Sequence, residues 1–280
     1  MTNSPSPQAD TNSPVNPIGL IAGNGKLPVV FAKEAKKLNY SLVAVGFKGE
    51  TAQELRNIVD RIYWVNLGEW NKIIKFFQKL NVKKALMLGL VKHTHIFENI
   101  KFDRKTKEIW NKLKDKRANT LLKTAVSILT NAGINVISPT TFLKFFFIPS
   151  GILTQSRPTK KEWQDIEFGY KIAKNLARLD IGQTVVVKDK SVLAVEAMEG
   201  TDKCILRAGK INENGIIVTK VARPKQDMRF DLPVIGLNTI NVLKKVKARV
   251  LACESRKTIL LDKEKLIQWA NKNKLVIVGI

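Results

Sequence analysis

The sequence predicts an α/β protein in two parts: a parallel sheet with helices on both faces over residues 17–150, then a mixed α/β domain over 151–280. Three observations predict it. Short apolar runs alternate with helical patterns as far as residue 148. Pro149-Ser150-Gly151 then interrupts the rhythm. Beyond it Asp189-Lys190 makes a hairpin-like turn between two apolar runs, and Asn214-Gly215 is a second turn leading into Ile216 to Val218.

Residues 1–16 are Ser, Pro, Asn and Thr with almost no apolar content, which predicts a disordered tail. Ile18 to Ala22 is a first strand ending at Gly23-Asn24-Gly25, and Pro28 opens a helix carrying Val30, Phe31, Ala35 and Leu38. Leu42 to Val45 and Ile62 to Val65 follow as strands. Trp70, Ile73, Ile74, Phe77 and Leu80 form the stripe of a second helix. Ala85 to Leu90 reads as a buried strand, with helical patterns around 109–113 and 121–129 and a strand at Ile134 to Ile137. This is a Rossmann-like order. In the second part, Thr159 and Glu162 make a capping box before a helix through Leu179. Strands are expected at Thr184 to Val187, Val192 to Val195, Ile216 to Val218, Val250 to Ala252, Thr258 to Leu261 and Leu275 to Val278. Helices are expected at Asn241 to Val246 and Glu264 to Ala270.

Composition narrows the function. The 280 residues carry 48 Lys+Arg against 24 Asp+Glu, a net charge of +24, which favours an anionic partner. The excess divides evenly, +13 over residues 1–150 and +11 over 151–280, so it is no detachable basic arm. Cys204 and Cys253 are too few for a disulfide framework or a zinc site, and fit a reducing compartment. No apolar stretch approaches a membrane span and no secretory leader is apparent. With only His93 and His95 as imidazoles, a metal would be held by carboxylates, which points to a hard cation.

Strand, Gly23-Asn24-Gly25, helix is an arrangement that aims backbone N–H groups at a phosphate. A nicotinamide cofactor is disfavoured: Pro28 stands near the third glycine of that fingerprint, and the second strand ends at Lys48, which cannot accept ribose hydroxyls. His93 and His95 follow a strand's carboxyl end, where ligands bind in open sheets. In the second part, Gln226 to Pro233 alternates strictly. As an extended strand it would place Asp227, Arg229 and Asp231 on one face, suited to phosphate chemistry or to a salt-bridge ladder, with Lys220 and Arg223 just upstream. In Glu196 to Asp202, Thr201 or Asp202 is expected to cap a helix. That leaves Glu196 and Glu199 for a metal or a water, while Gln183-Thr184 heads a strand and could meet a polar ligand.

Ile18 to Pro28, Val45 to Glu50, Asp180 to Val187, Ala194 to Asp202 and Gln226 to Pro233 together resemble the LpxI family, the non-calcineurin-type UDP-2,3-diacylglucosamine pyrophosphatases of lipid A synthesis. The resemblance covers nearly all the chain after the tail. It implies hydrolysis of the acylated UDP-sugar to UMP and 2,3-diacylglucosamine 1-phosphate (lipid X), magnesium dependence, and two domains that clamp the substrate. It implies a cytoplasmic enzyme peripheral to the anionic inner membrane. Carried over, Asp227, Arg229, Asp231 and Lys220 are the catalytic group, and Glu196, Glu199, Asp202 and Asp227 the magnesium ligands. Gly23, Asn24, Gly25, Lys48, Gln183, Thr184 and Thr201 contact the substrate. A homodimer is compatible with the sequence. A basic nucleic-acid-binding protein is the alternative the charge suggests, but no recognition-helix pair, zinc spacing or RNA-binding aromatic signature supports it.

Overall fold

The computed structural model describes residues 16–89, 102–115, 117–212 and 214–280. Residues 1–15 of the expected tail, and His93 and His95, lie outside the described residues. The chain divides into two compact units, the first ending at Ile137 and the second running from Ser138 to Ile280.

In the first unit, β1 (Ile18–Ala22) leads to α1 (Leu27–Lys37), β2 (Leu42–Phe47) and β3 (Arg61–Val65). Then come α2 (Trp70–Lys79), β4 (Lys84–Leu88), α3 (Arg104–Asn111), α4 (Ala118–Asn131) and β5 (Asn135–Val136). The sheet order is β3-β2-β1-β4-β5 and every pairing is parallel. Every residue of β1 and β2 is buried, as expected of strands covered on both faces. Pro28 sits in the first turn of α1, where its missing N–H costs nothing. Ile73 and Phe77, one turn apart, are the residues α2 buries. Strand order reverses between β1 and β4, and the β1–α1 loop leaves the sheet at that point.

The second unit holds α5 (Thr140–Leu143), β6 (Gly151–Ile152), α6 (Lys160–Arg178), β7 (Thr184–Lys188), β8 (Ser191–Val195), α7 (Thr201–Ile211) and β9 (Ile217–Lys220). It continues with β10 (Val234–Ile235), α8 (Leu237–Lys245), β11 (Val250–Cys253), β12 (Ile259–Leu260), α9 (Lys263–Lys272) and β13 (Val276–Gly279). Its main sheet runs β6-β13-β11-β9-β7-β8. The pairs β13–β11 and β11–β9 are parallel, while β6, β7 and β8 join antiparallel, so the sheet is mixed as expected. The period of two sorts the core. Val186, Val218, Leu251 and Ile277 pack with Ile205, Leu243 and Leu266 from α7, α8 and α9. Val185, Val187, Ile217, Val250 and Val276 pack with Ile166, Ala173 and Ala177 of α6.

Local signals held. Thr159 and Glu162 form both halves of the capping box of α6. Asp189 and Lys190 close the β7–β8 hairpin with φ of 51° and 56°, and Asp165 accepts both of their N–H groups. Cys204 and Cys253 are free and buried. The second unit also takes in residues ahead of the expected break at Pro149. Ile148 is fully buried in its core and donates its N–H to Thr258 O at 2.9 Å.

One expected strand does not form. Gln226–Pro233 is a looped segment with a turn at 228–230, so Asp227, Arg229 and Asp231 do not share a strand face. The Asp227 carboxylate accepts Arg229 N at 3.1 Å, and Asp227 O accepts Asp231 N at 3.1 Å. Such short-range bonds compete with a strand ladder.

Candidate functional site

The second unit collects polar side chains where β9 ends. Thr184 lies opposite Lys220 in the β7–β9 register, and Glu196 follows the end of β8 with its N–H on Thr184 O at 2.9 Å. Lys220, 7% exposed, donates to the hydroxyl of Thr201 at 2.6 Å. That hydroxyl donates to Glu196 Oε1 at 2.9 Å and lies 3.3 Å from Thr184 Oγ1. Gln183 N donates to Glu196 Oε2 at 3.2 Å. Burial pushes the Glu196 carboxyl up, but the Lys220 charge, the Thr184 and Thr201 hydroxyls and the Gln183 N–H outweigh it, so its pKa falls below the ordinary value. Burial, and then the Glu196 charge, push the Cys204 thiol the other way, to about 12. Gly182 permits this approach: a Cβ there would stand 2.0 Å from Glu196 O.

Arg223 joins this group to the 226–233 segment. Its Nε donates to Asp180 Oδ1 at 2.6 Å, and Nη1 donates to Asp231. With the Gln183 amide oriented by its bonding partners, Gln183 Oε1 accepts from Arg223 Nη1 at 2.6 Å and Nε2 donates to Val221 O at 3.0 Å. The backbone N–H of Arg223 donates to Gln226 Oε1 at 2.7 Å. Asp227 and Arg229 meet through two donors, Nε to Oδ1 at 2.9 Å and Nη2 to Oδ2 at 2.7 Å. The hydrogen bonds that Arg229 donates to Asp227 raise the Arg229 pKa.

The start of α7 differs from expectation. Gly200, at φ 83°, is the N-cap residue, and neither Thr201 nor Asp202 caps the helix. A left-handed cap position suits glycine, so Thr201 becomes the first helical residue with its hydroxyl free to serve Lys220 and Glu196. The N-cap residue supplies no side-chain cap, and this end of the helix gathers Lys220 and Glu196 on Thr201, with Asp202 in the first turn.

The carboxylates expected to hold magnesium do not converge. Glu196 is engaged as above, Glu199 pairs with Arg207 at 2.7 Å, Asp202 accepts from Thr239 at 2.8 Å, and Asp227 pairs with Arg229. Among the described residues no group of three or more His, Cys, Asp or Glu side chains is placed to hold a metal. The four residues therefore do not fit a ready-made magnesium shell. Three already face cations, and a hard cation needs converging oxygens.

In the first unit, Gly23 N extends the sheet to Leu88 O at 2.7 Å, and Asn24 Nδ2 donates to Glu50 Oε2 at 3.1 Å. Thr51 holds the same corner, accepting Phe47 N at 2.8 Å and donating to Ala22 O. Lys48 is exposed in the turn after β2. Gly23, Asn24, Gly25 and Lys48 thus lie at the carboxyl ends of β1 and β2, where open parallel sheets bind ligands.

Three residues of the second-unit network were not singled out as site residues. Asp180 begins the Asp180 to Val187 segment and Arg223 stands just ahead of Gln226 to Pro233, but their pairing spans 43 positions. Glu254 follows the apolar strand β11 directly, a legible signal at a strand's carboxyl end. It is 6% exposed and accepts from Lys174 at 3.0 Å, Lys257 at 2.7 Å and Ala222 N at 2.8 Å.

The LpxI N-terminal domain model matches residues 17–146 and the LpxI C-terminal domain model residues 149–278. The chain is 26% identical over 274 residues to the UDP-2,3-diacylglucosamine pyrophosphatase LpxI of Caulobacter vibrioides, spanning 94% of this chain and 97% of that protein. Among solved structures, a biotin carboxylase domain of a thermophilic 2-oxoglutarate carboxylase matches with a TM-score of 0.28 at 11% identity, covering 60% of this chain and 34% of that one. The biotin carboxylase subunit of a pyruvate carboxylase also gives 0.28, at 13% identity, covering 70% of this chain and 40% of that one. Likeness at that level carries no argument. The two domain models, consecutive and together spanning the chain from residue 17 to 278, do: this chain belongs to the LpxI family.

Proposed function

We propose that the protein hydrolyses the pyrophosphate of UDP-2,3-diacylglucosamine, releasing UMP and 2,3-diacylglucosamine 1-phosphate for lipid A synthesis. Family membership and the Caulobacter relative support this reading. The observation that carries it is the buried ammonium of Lys220, held on the Thr201 hydroxyl at the uncapped amino end of α7. A buried cation, hydroxyls and helix N–H groups suit phosphate oxygens and the charge that builds on them as a P–O bond breaks. Water adds to one phosphorus while the bridging oxygen leaves with the other phosphate. Asp227 accepts the proton or orients that water, Arg229 and Lys220 stabilise the oxyanions, and Asp231 anchors the loop through Arg223. Gln183, Thr184 and Thr201 contact the substrate in the second unit, and Gly23, Asn24, Gly25 and Lys48 do so in the first.

Magnesium dependence belongs to the proposal. One carboxylate with the substrate's own phosphate oxygens is a common way to hold that ion, and it would neutralise pyrophosphate charge. A cytoplasmic location, peripheral to an anionic inner membrane, fits the +24 charge and the lipid substrate. No described helix is long and apolar enough to cross a membrane.

The test is UMP release from the acylated UDP-sugar, with magnesium and with EDTA. Asp227→Asn should bind substrate yet turn it over at least about 100-fold more slowly. No UMP from the wild-type chain under either condition would overturn the reading; normal turnover by the variant would overturn only the role of Asp227.

A further inference from the structure

Beside the Lys220 group lies an apolar rim that the chemistry does not use. Leu179 is 67% exposed, Ile181 45% and Met198 66%. They come from two loops held together at their bases: Gly182 stands against the Glu196 carbonyl, and Gln183 N donates to Glu196 Oε2. The first loop is a rigid helix ending. Asp180 N reaches Ala177 O and Ile181 N reaches Leu176 O, both at 3.2 Å, the paired bonds of a Schellman turn. Asp180 adopts φ 60° there and is fastened by Arg223. The turn therefore presents Leu179 and Ile181 to water by construction.

Three of the neighbouring acids face cations, Asp180 with Arg223, Glu199 with Arg207 and Glu196 with Lys220 through Thr201, while Asp202 accepts from the neutral Thr239 hydroxyl. Arg178 and Lys203 flank the rim, are exposed, and enter no ion pair among the described residues. Exposed apolar tips beside two exposed cations that stand outside ion pairs match a surface with anionic headgroups over hydrocarbon.

We infer that Leu179, Ile181 and Met198, with Arg178 and Lys203, are the contact by which the protein docks on an anionic lipid bilayer. This places the mouth of the Lys220 group at the membrane, and in that respect it rests on the proposed function.

The test is sedimentation of the full chain with phosphatidylglycerol–phosphatidylethanolamine vesicles and with pure phosphatidylcholine vesicles. It is run alongside hydrolysis of a short-chain, water-soluble acylated UDP-sugar and light scattering. Wild type should prefer the anionic vesicles and lose that preference as salt rises from 0.1 to 1 M, where screening lengths fall from about 10 Å to about 3 Å. Leu179→Ser/Ile181→Ser/Met198→Ser should bind them at least about 10-fold more weakly and keep its hydrolysis of the soluble substrate. Arg178→Gln/Lys203→Gln should lower binding to anionic vesicles without changing the little binding to neutral ones. Equal binding by wild type and the triple variant would overturn the docking site. So would a triple variant that shifts from dimer to monomer, since the rim would then cover a second copy of the chain. If the wild-type chain lacks hydrolysis of the soluble substrate but the vesicle results hold, the proposed activity fails and the docking site stands.

Discussion

Lys220, at the last position of β9, donates to the hydroxyl of Thr201, the first residue of α7, at 2.6 Å, and that hydroxyl passes the contact on to Glu196 at 2.9 Å. A buried cation thus reaches its counter-charge through a neutral hydroxyl. The ammonium keeps its charge compensated while its remaining donor capacity can serve an incoming anion.

Lys220→Met should remove hydrolysis and also destabilise the fold by about 3 kcal/mol, because it strands the Glu196 carboxylate in a largely buried setting. Adding Glu196→Gln should recover most of that stability and none of the turnover. Thermal denaturation and kcat/KM, measured on both variants, separate the two effects. Recovery of activity by the double variant would show that Lys220 acts only on stability.

Asp180 holds a left-handed conformation and the Arg223 guanidinium at once. Asn tolerates that backbone but carries no charge, so Asp180→Asn should change stability by under about 1 kcal/mol. Turnover should fall, as the Arg223 link to Asp231 and the 226–233 loop loosens. Asp180→Ala should lose both, since Ala resists the left-handed region. Wild-type kinetics in Asp180→Asn would disconnect Arg223 from the chemistry.

Gly182→Ala should be disproportionately costly for the gain of one methyl group. Its Cβ would stand 2.0 Å from backbone oxygen, which cannot swing away as a side chain can. A loss of about 3 kcal/mol in urea unfolding is expected, with Glu196 displaced from Gln183 N.

Glu254 should shape the acid limb of stability. Burial raises its pKa, but the bonds from Lys257, Lys174 and Ala222 N–H outweigh this and hold it below 4.5. A carboxyl with a lowered folded-state pKa contributes stability in full above its unfolded value, and that contribution fades as pH falls through the folded-state value. Glu254→Gln should therefore be less stable than wild type at neutral pH by about 2 kcal/mol, and its stability should fall less steeply once the pH drops below 4.5. Parallel pH curves for the two proteins would contradict the assignment.

What the sequence by itself determined was local in origin. The Thr159–Glu162 box, the Asp189-Lys190 turn and the proline-led start of α1 are set by residues a few positions apart, so their chemistry is legible in order along the chain. The two-part α/β architecture follows from the same short periods, repeated. Two things were decided by tertiary structure. Strict alternation over 226–233 reads as a strand, but a strand needs a neighbour to accept its ladder; here Asp227 closes on Arg229 and Arg223 draws Asp231 away. The acidic residues that the family resemblance makes magnesium ligands likewise stand close together in the sequence. Folding gives each its own partner, Lys220 and Thr201, Arg207, Thr239 or Arg229, because a carboxylate losing water takes the nearest cation or donor that packing supplies. Those partners stand on other strands and helices, and only the packed sheet of the second unit brings them within reach.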